Sequence, residues 1–391
     1  MHSDSNPLPV TRPKAEHAVW RWATTQAEHV LASGDLATIL RFYRAVHRLN
    51  QNQLGSLMGY DKTYISALEL GKRTVDDITS RRRICDRLGL PPHVLGITDR
   101  ADTDHRAMLQ FGESTVRLAE IARQSGHSFE AVAELWPLVA RLEARIEDGH
   151  AERDVLRLLA QARIGLGAAL GNVLPEERLS TAARWTSKAL PIADYFDDRS
   201  FRSFALRMHG NELRKAGLLG AAVQRLQYAA ALAAEREARA AALLLLARAA
   251  GELHNGPLFH KAMREADALL DEVDHTSLVN PYAVFEIRLR GLASIGQLDA
   301  AMQLVETCPK PATTAAPQWH VIEMISVGDV RLQIGDSAGA ADLLNEATEA
   351  AAHQRLPHQL QRIMRAAGDG LAETRRTAAL ALERLRQDMA A

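Results

Sequence analysis

The chain has 391 residues, 47% of them hydrophobic and 24% charged, with a formal net charge of −1. It is too long for one ordinary domain and too apolar for a disordered chain, so two or three domains, or one domain plus a repeat array, are expected. Aromatic residues make up only 5%, while Ala, Leu and Arg dominate the second half, an excess of helix formers that points to an all-α protein.

Charge is unevenly spread. Residues 36–96 hold ten Lys and Arg against five Asp and Glu, a surplus of +5 that leaves −6 for the remainder. A basic module on an acidic body suits a polyanionic partner for one part only. The two cysteines, Cys85 and Cys308, are too few for a disulfide framework or a metal cluster and fit a reducing compartment. The first thirty residues lack an apolar signal core, and the apolar run at residues 240–247 is far short of a membrane span. A cytoplasmic protein with no membrane partner is expected.

In chain order, residues 1–14 contain Pro and Ser and read as loose. Residues 16–33 read as a helix with Trp20, Trp22, Val30 and Leu31 available to pack, and Gly34 and Asp35 end it and start the next. Residues 1–35 thus form an N-terminal extension with one helix. Residues 36–96 read as five short helices in a compact domain. Asn50 followed by Gln53 is a capping-box start, Asp61 can cap the next helix, and Thr74 followed by Asp77 suggests another start. Gly59 stands where a tight turn needs positive φ, and Gly55 where two helices must cross closely. Leu40, Tyr43, Leu54, Leu57, Ile65, Leu68, Ile78, Ile84 and Leu88 can close one small core. Helix, short turn, helix is the helix-turn-helix plan. Residues 97–104 are polar and read as a linker. Beyond Met108 the pattern is amphipathic helix broken by Gly, Pro, Asn and Asp, with no convincing strand alternation.

The residues Leu49-Asn50-Gln51-Asn52-Gln53-Leu54, then Gly59, Ile65, Leu68-Glu69 and Gly71-Lys72, resemble the Cro-type phage repressor family, also called XRE, over about sixty residues. That resemblance implies a recognition helix at residues 61–70, lying in the major groove of double-stranded DNA. It places Lys62, Thr63 and Ala67 at base edges, with Tyr64 and Ser66 nearby. It gives Gln51 a phosphate contact at a helix N-terminus, and sets Lys72 and Arg73 on the DNA backbone. It also aligns Arg44 and Glu69 as an internal ion pair.

The second half contains internal similarity. Gly210, Gly217, Ala222, Leu226 and Ala229 recur at the same offsets as Gly328, Gly335, Ala340, Leu344 and Ala347, with weaker copies around Ala250 with Ala262 and Gly296 with Ala301. These small and large positions resemble the tetratricopeptide repeat, which implies that residues 105–391 form an α-solenoid with a concave binding surface. On that surface the first helices would present Arg207, Asn211, Arg214, Glu286, Arg290 and Asp329, where Asn can hold a peptide backbone and Arg a carboxylate. A Cro-type reader followed by such an array resembles the peptide-pheromone-receptor regulators and the large bacterial regulators of development and secondary metabolism.

No catalytic constellation accompanies this plan. The glycine-rich residues 165–171 follow no strand and lack the dinucleotide spacing, while His254 with His260 and His353 with His358 lack helical ligand spacing. Cys85 reads as a small core residue, and Cys308 sits beside Pro309 at a helix end. The expectation is a non-enzymatic, cofactor-free, metal-free bacterial transcription regulator. It would bind DNA as a homodimer, with an array that senses a peptide, small molecule or partner protein. The rival expectation is a protein-interaction scaffold whose small domain no longer reads DNA.

Overall fold

A computed structural model of the chain describes residues 24–97, 100–307 and 317–390. Its regular elements are helices, and no strand occurs among the described residues. The all-α expectation holds. The chain forms two compact units. Of the described residues, one contains those up to Glu113 with Val139–Leu159 and Asp194–Asp197; the other contains Ser114–Leu138, Ala160–Ala193 and those from Asp198 onward.

In the first unit, α1 (Thr25–Ala32) starts at Thr24, whose hydroxyl accepts from Ala27 N at 3.1 Å. Trp20, Trp22 and the rest of the expected helix before it lie outside the described residues. Asp35 caps α2 (Leu36–His47) by accepting from Ala37 N and Thr38 N. The expected capping box is present at α3 (Gln51–Met58). Asn50 accepts from Gln53 N, and the Gln53 side chain accepts from Asn50 N. Gly59 follows with φ +77°, a left-handed turn that leads through Asp61 into α4 (Lys62–Glu69). A Cβ on Gly55 would lie 2.5 Å from the Tyr60 carbonyl oxygen, so only glycine allows the chain to double back there.

Two local expectations are corrected. The helix after the loop, α5 (Ile78–Leu88), is capped by Asp77, which accepts from Ser80 N at 2.7 Å. Thr74 instead donates to Asp76. A carboxylate one residue ahead of the helix reaches its free N–H groups better than a hydroxyl four residues away. Ile78, expected in the core, is 65% exposed, because it opens α5 on the outer face; Val75 from the preceding loop is buried in its stead. Leu57 is half-buried, while Ile39, Met58 and Leu90 join the core. The fifth short helix is a 3-10 turn, Pro92–Leu95, placed where Pro91 and Pro92 disfavour a longer helix.

Beyond Gly96, α6 (Arg100–Gln124) begins inside the stretch read as a linker. No glycine or proline stands between Ile97 and Phe111, so polar composition alone does not stop the helix. α7 (Ser128–Glu147) and α8 (Arg153–Val173) follow. The glycines of residues 165–171 lie within α8. Cβ atoms on Gly165 and Gly167 would crowd Leu135 at 3.2 Å and the Ala182 carbonyl at 2.8 Å. They are spacers for close helix packing, not a phosphate loop.

In the second unit the helices come in packed pairs. α9 (Leu179–Ser187) and the short α10 (Leu190–Tyr195) precede α11 (Arg199–Lys215) with α12 (Leu219–Leu232), then α13 (Arg236–Glu252) with α14 (Gly256–Leu270). α15 (Pro281–Ser294) with α16 (Leu298–Thr307) and α17 (Pro317–Gln333) with α18 (Ser337–His353) continue the series, and α19 (Pro357–Ala367) with α20 (Ala372–Ala390) ends it. The first helices of the pairs also pack on one another in succession: α9 on α11, α11 on α13, then α15, α17 and α19.

The turns inside the pairs set the register. Gly217, His254, Gly296 and Gly335 all have positive φ, and each is followed by a residue whose N–H reaches back five positions, to Leu213, Ala250, Leu292 and Arg331. Ala250 is therefore equivalent to Leu213, not to Gly210. The weaker copy expected around Ala250 and Ala262 is displaced by three residues, and its true positions are Ala247 and Phe259. The bulky Phe259 stands where the other pairs carry Ala222, Ala301 and Ala340. It fits because Gly291 and Gly251 leave room: a Cβ on Gly291 would collide with its ring, and one on Gly251 would lie 3.0 Å from Gly291 Cα.

Candidate functional site

Two surfaces concentrate polar side chains, one in each unit. In the first, α4 buries Ile65, Leu68 and Glu69 and turns its opposite face outward. Lys62 and Thr63 are exposed beside the Asp61 cap, Ser66 and Ala67 are half-buried, and Lys72 and Arg73 are exposed just past the helix end. Tyr64 stacks on Tyr60 with ring centroids 4.5 Å apart, and this pair is closed at both ends by cations. The Arg73 guanidinium lies 4.7 Å from the Tyr64 ring, and that of Arg83 lies 4.7 Å from the Tyr60 ring. These contacts hold two guanidinium groups in fixed positions next to α4 while leaving most of their N–H donors unused. Arg81 differs. It donates to the carbonyls of Val75 and Leu95, so it fastens the loop instead of adding to the basic surface.

Behind α4 lies its anchor. Arg44 Nε donates to Glu69 Oε1 at 2.7 Å and Arg44 Nη2 to Glu69 Oε2 at 3.2 Å, a forked pair with Glu69 only 5% exposed. Gln51 Nε2 adds a bond to Glu69 Oε2 at 2.8 Å. Gln51, expected at a DNA phosphate, thus gives one amide hydrogen to Glu69 and keeps a second. Burial pushes the Glu69 carboxyl up, but the bonds from Arg44 and Gln51 outweigh it and hold the group below its ordinary value.

In the second unit a cavity of about 770 Å³ opens along the row of first helices. α11 supplies Arg207, Asn211 and Arg214; α13 supplies Arg248 and Glu252; α15 supplies Arg290; α17 supplies Gln318 and Trp319; α19 supplies His358, Gln359 and Arg362. Four of the six array residues singled out in the sequence line it together. Glu286 is fully buried just behind, with Oε2 4.0 Å from Arg248 and Oε1 3.1 Å from Ser326 Oγ. Asp329 is half-buried and does not line the cavity.

Glu252 organises the base. It receives Arg214 at 2.6 Å and Arg290 at 2.7 Å. Burial raises its pKa, yet Arg214, Arg290 and Arg248 prevail and bring it to about 2. Towards α6 and α11 the charges balance locally, with Arg123 on Glu120 at 2.6 Å and Lys215 on Glu212 at 3.0 Å. Sequence reasoning missed Arg248, Glu252, Trp319 and Arg362. Arg248 had a signal: it is the one charged residue in the otherwise apolar residues 240–250, so it had to be buried whatever face the helix presented.

No family model matches this chain, and no curated protein matches it either. Its chemistry is therefore read from geometry. Cys85 is buried, and burial together with Asp86 pushes its thiol up to about 12, which keeps it protonated and unreactive near neutral pH. Cys308 lies outside the described residues. Among the described residues no group of three or more His, Cys, Asp or Glu is placed to hold a metal ion, and no helix is long and apolar enough to cross a membrane.

Proposed function

We propose that the chain is a DNA-binding transcription regulator of the bacterial cytoplasm. In this reading α3 and α4 form a helix-turn-helix, and α4 enters the major groove of double-stranded DNA. Lys62 donates to guanine O6 and N7, and Thr63 bonds a base edge or packs on a thymine methyl. Gln51, Lys72 and Arg73 contact phosphates, while Tyr64, Ser66 and Ala67 fill the space against the base edges. The tetratricopeptide-like array of the second unit then provides a homodimer contact and a sensing cavity, and paired readers multiply affinity for paired half-sites.

The observation that carries this reading is the exposed start of α4. Lys62 and Thr63 project from a helix whose opposite face is fixed by Ile65, Leu68 and the Arg44–Glu69 fork. A reader needs such a helix, rigid behind and unencumbered in front.

Selection of tightly bound duplexes from a random pool tests it. A defined motif should emerge, and Lys62→Ala with Thr63→Ala should relax preference by about 1–3 kcal/mol at the base pairs they contact. Arg73→Ala should weaken all sequences alike and reduce the salt slope by about one unit. Equal affinity for selected and random duplexes would reject the reading and favour a scaffold that binds protein.

A further inference from the structure

The cavity base in the second unit is overcharged. Arg214, Arg248, Arg290 and Arg362 meet there, and the carboxylates facing them are Glu252 and Glu286, which leaves two positive charges uncompensated. Glu252 is shared by Arg214 and Arg290. Glu286 approaches Arg248 only to 4.0 Å.

Two of these guanidinium groups keep donors without an acceptor. Arg248 is 8% exposed, and its buried Nε has no hydrogen-bond partner. Arg362 gives Nη2 to Ser326 Oγ at 2.8 Å, but its buried Nη1 has no partner. The Trp319 ring lies 5.3 Å from the Arg248 guanidinium and walls the same space. Nearby, Gln318 Oε1 and Gln359 Oε1 are buried acceptors without donors. A buried, unpaired cation is costly, and a fold retains several in one place when an anion completes them.

We propose that this cavity binds a small dianion, a phosphate ester or dicarboxylate bearing hydroxyl groups, gripped between Arg248 and Arg362 with Arg214 and Arg290 flanking. The anionic end accepts the free Nε and Nη1 donors in the forked geometry that guanidinium groups favour. Ligand hydroxyls donate to Gln318 and Gln359. Burial and the neighbouring guanidinium charges push Arg248 down to about 9 and Arg362 well below its ordinary value, the strain that a bound anion relieves. The volume of about 770 Å³ suits a metabolite-sized molecule. This inference gives the sensing cavity its chemistry and stands whether or not α4 reads DNA.

The test uses the full-length chain in calorimetric titration and thermal melting with ribose 5-phosphate, tartrate and neutral ribose as probes. At least one dianion should bind and raise the melting temperature, with ribose inert; the better of the two distinguishes phosphate from carboxylate. Arg248→Met and Arg362→Met should each weaken binding at least about tenfold. Arg362→Met should also raise the melting temperature of the ligand-free protein, because a buried charge without an ion-pair partner has been replaced by an apolar chain of similar volume, whereas Arg248→Met, which strands the buried Glu286 carboxylate, should not. Arg236→Met, in the surface pair with Glu272, should leave binding and stability unchanged. A wild-type chain that binds neither dianion overturns the proposal. So does an Arg248→Met or Arg362→Met variant that binds as tightly as wild type, or an Arg362→Met chain that melts lower when empty. Lys62→Ala, which tests DNA reading, should leave the titration unaffected.

Discussion

Removing Arg44 should cost more than removing its partner, although both changes break the same ion pair. Arg44→Met leaves the Glu69 carboxylate, 5% exposed, without its bonds at 2.7 and 3.2 Å and with only the Gln51 amide at 2.8 Å. Stranding a buried charge costs about 3–5 kcal/mol, and the retained Gln51 bond places this case near about 3 kcal/mol. Glu69→Gln leaves Arg44, whose side chain is 31% exposed and can recover water, so about 1 kcal/mol is expected.

Hydrogen exchange of peptides within residues 36–97, followed by mass spectrometry, reads this unit alone. The deficits correspond to roughly 150-fold and fivefold losses of protection, at 1.36 kcal/mol per tenfold. The pH dependence has a definite sign. Arg44 and Gln51 hold the Glu69 pKa low against the pull of burial, so the pair stabilises above the ordinary carboxylate pKa and is lost as pH falls. In Arg44→Met the carboxyl protonates more readily, and the deficit should shrink as pH drops below about 4.5. A Glu69→Gln variant as damaged as Arg44→Met, or a deficit independent of pH, would refute the reasoning.

Other outcomes follow from the second unit. A Cβ on Gly210 would meet Leu226 Cγ at 2.7 Å, and one on Gly328 would meet Leu344 at 3.0 Å. Alanine at either should destabilise by about 1–3 kcal/mol in denaturant melts. Gly220, helical and facing open space, should gain up to about 1 kcal/mol from the same change. Burial, reinforced by Arg225, pushes His209 down to about 4, so the unfolded chain takes up a proton that the folded one refuses between pH 6.5 and 4. Stability should fall with acidification across that window, by on the order of 2 kcal/mol at pH 5, and His209→Asn should flatten the curve. Ile78→Thr should shift stability by less than about 0.5 kcal/mol, since the side chain is exposed; a large loss on melting would contradict its placement.

Much of the first unit was legible because its signals are local. Asn50 with Gln53, Asp61, Gly59 and Gly55 each do their work within a few residues, and local chemistry survives in sequence. Ile78 departs from the expected core because apolarity does not ensure burial: a helix's first residue can face outward before the core stripe begins. The expected linker is helical from Arg100 because a polar stretch without glycine or proline has nothing in it to stop a helix. In the array, the turns at 217, 254, 296 and 335 are 37, 42 and 39 residues apart, so a fixed period blurs them. His254 occupies one turn where glycine occupies the other three, which hid the true register behind the nearby Ala250. The charged cavity was half visible: its Arg and Asn residues from α11 sit on an expected face. Arg362 comes from α19, far along the chain, and pairwise spacing carries no trace of that meeting.

The exchange of volume between Phe259 and Gly291 makes one joint of the array unlike the rest. Elsewhere a second helix presents alanine at that depth; here a whole ring crosses the seam and rests where the following pair has given up its side chain. The pairs are consequently not interchangeable modules. Transplanting α13–α14 beside a pair without the recess would force a clash, and setting α15–α16 beside an alanine-bearing neighbour would leave a void. The order of the helices is thus written into the interior as a lock and its key, and that junction fixes which pair follows which along the row of helices that bears the arginines.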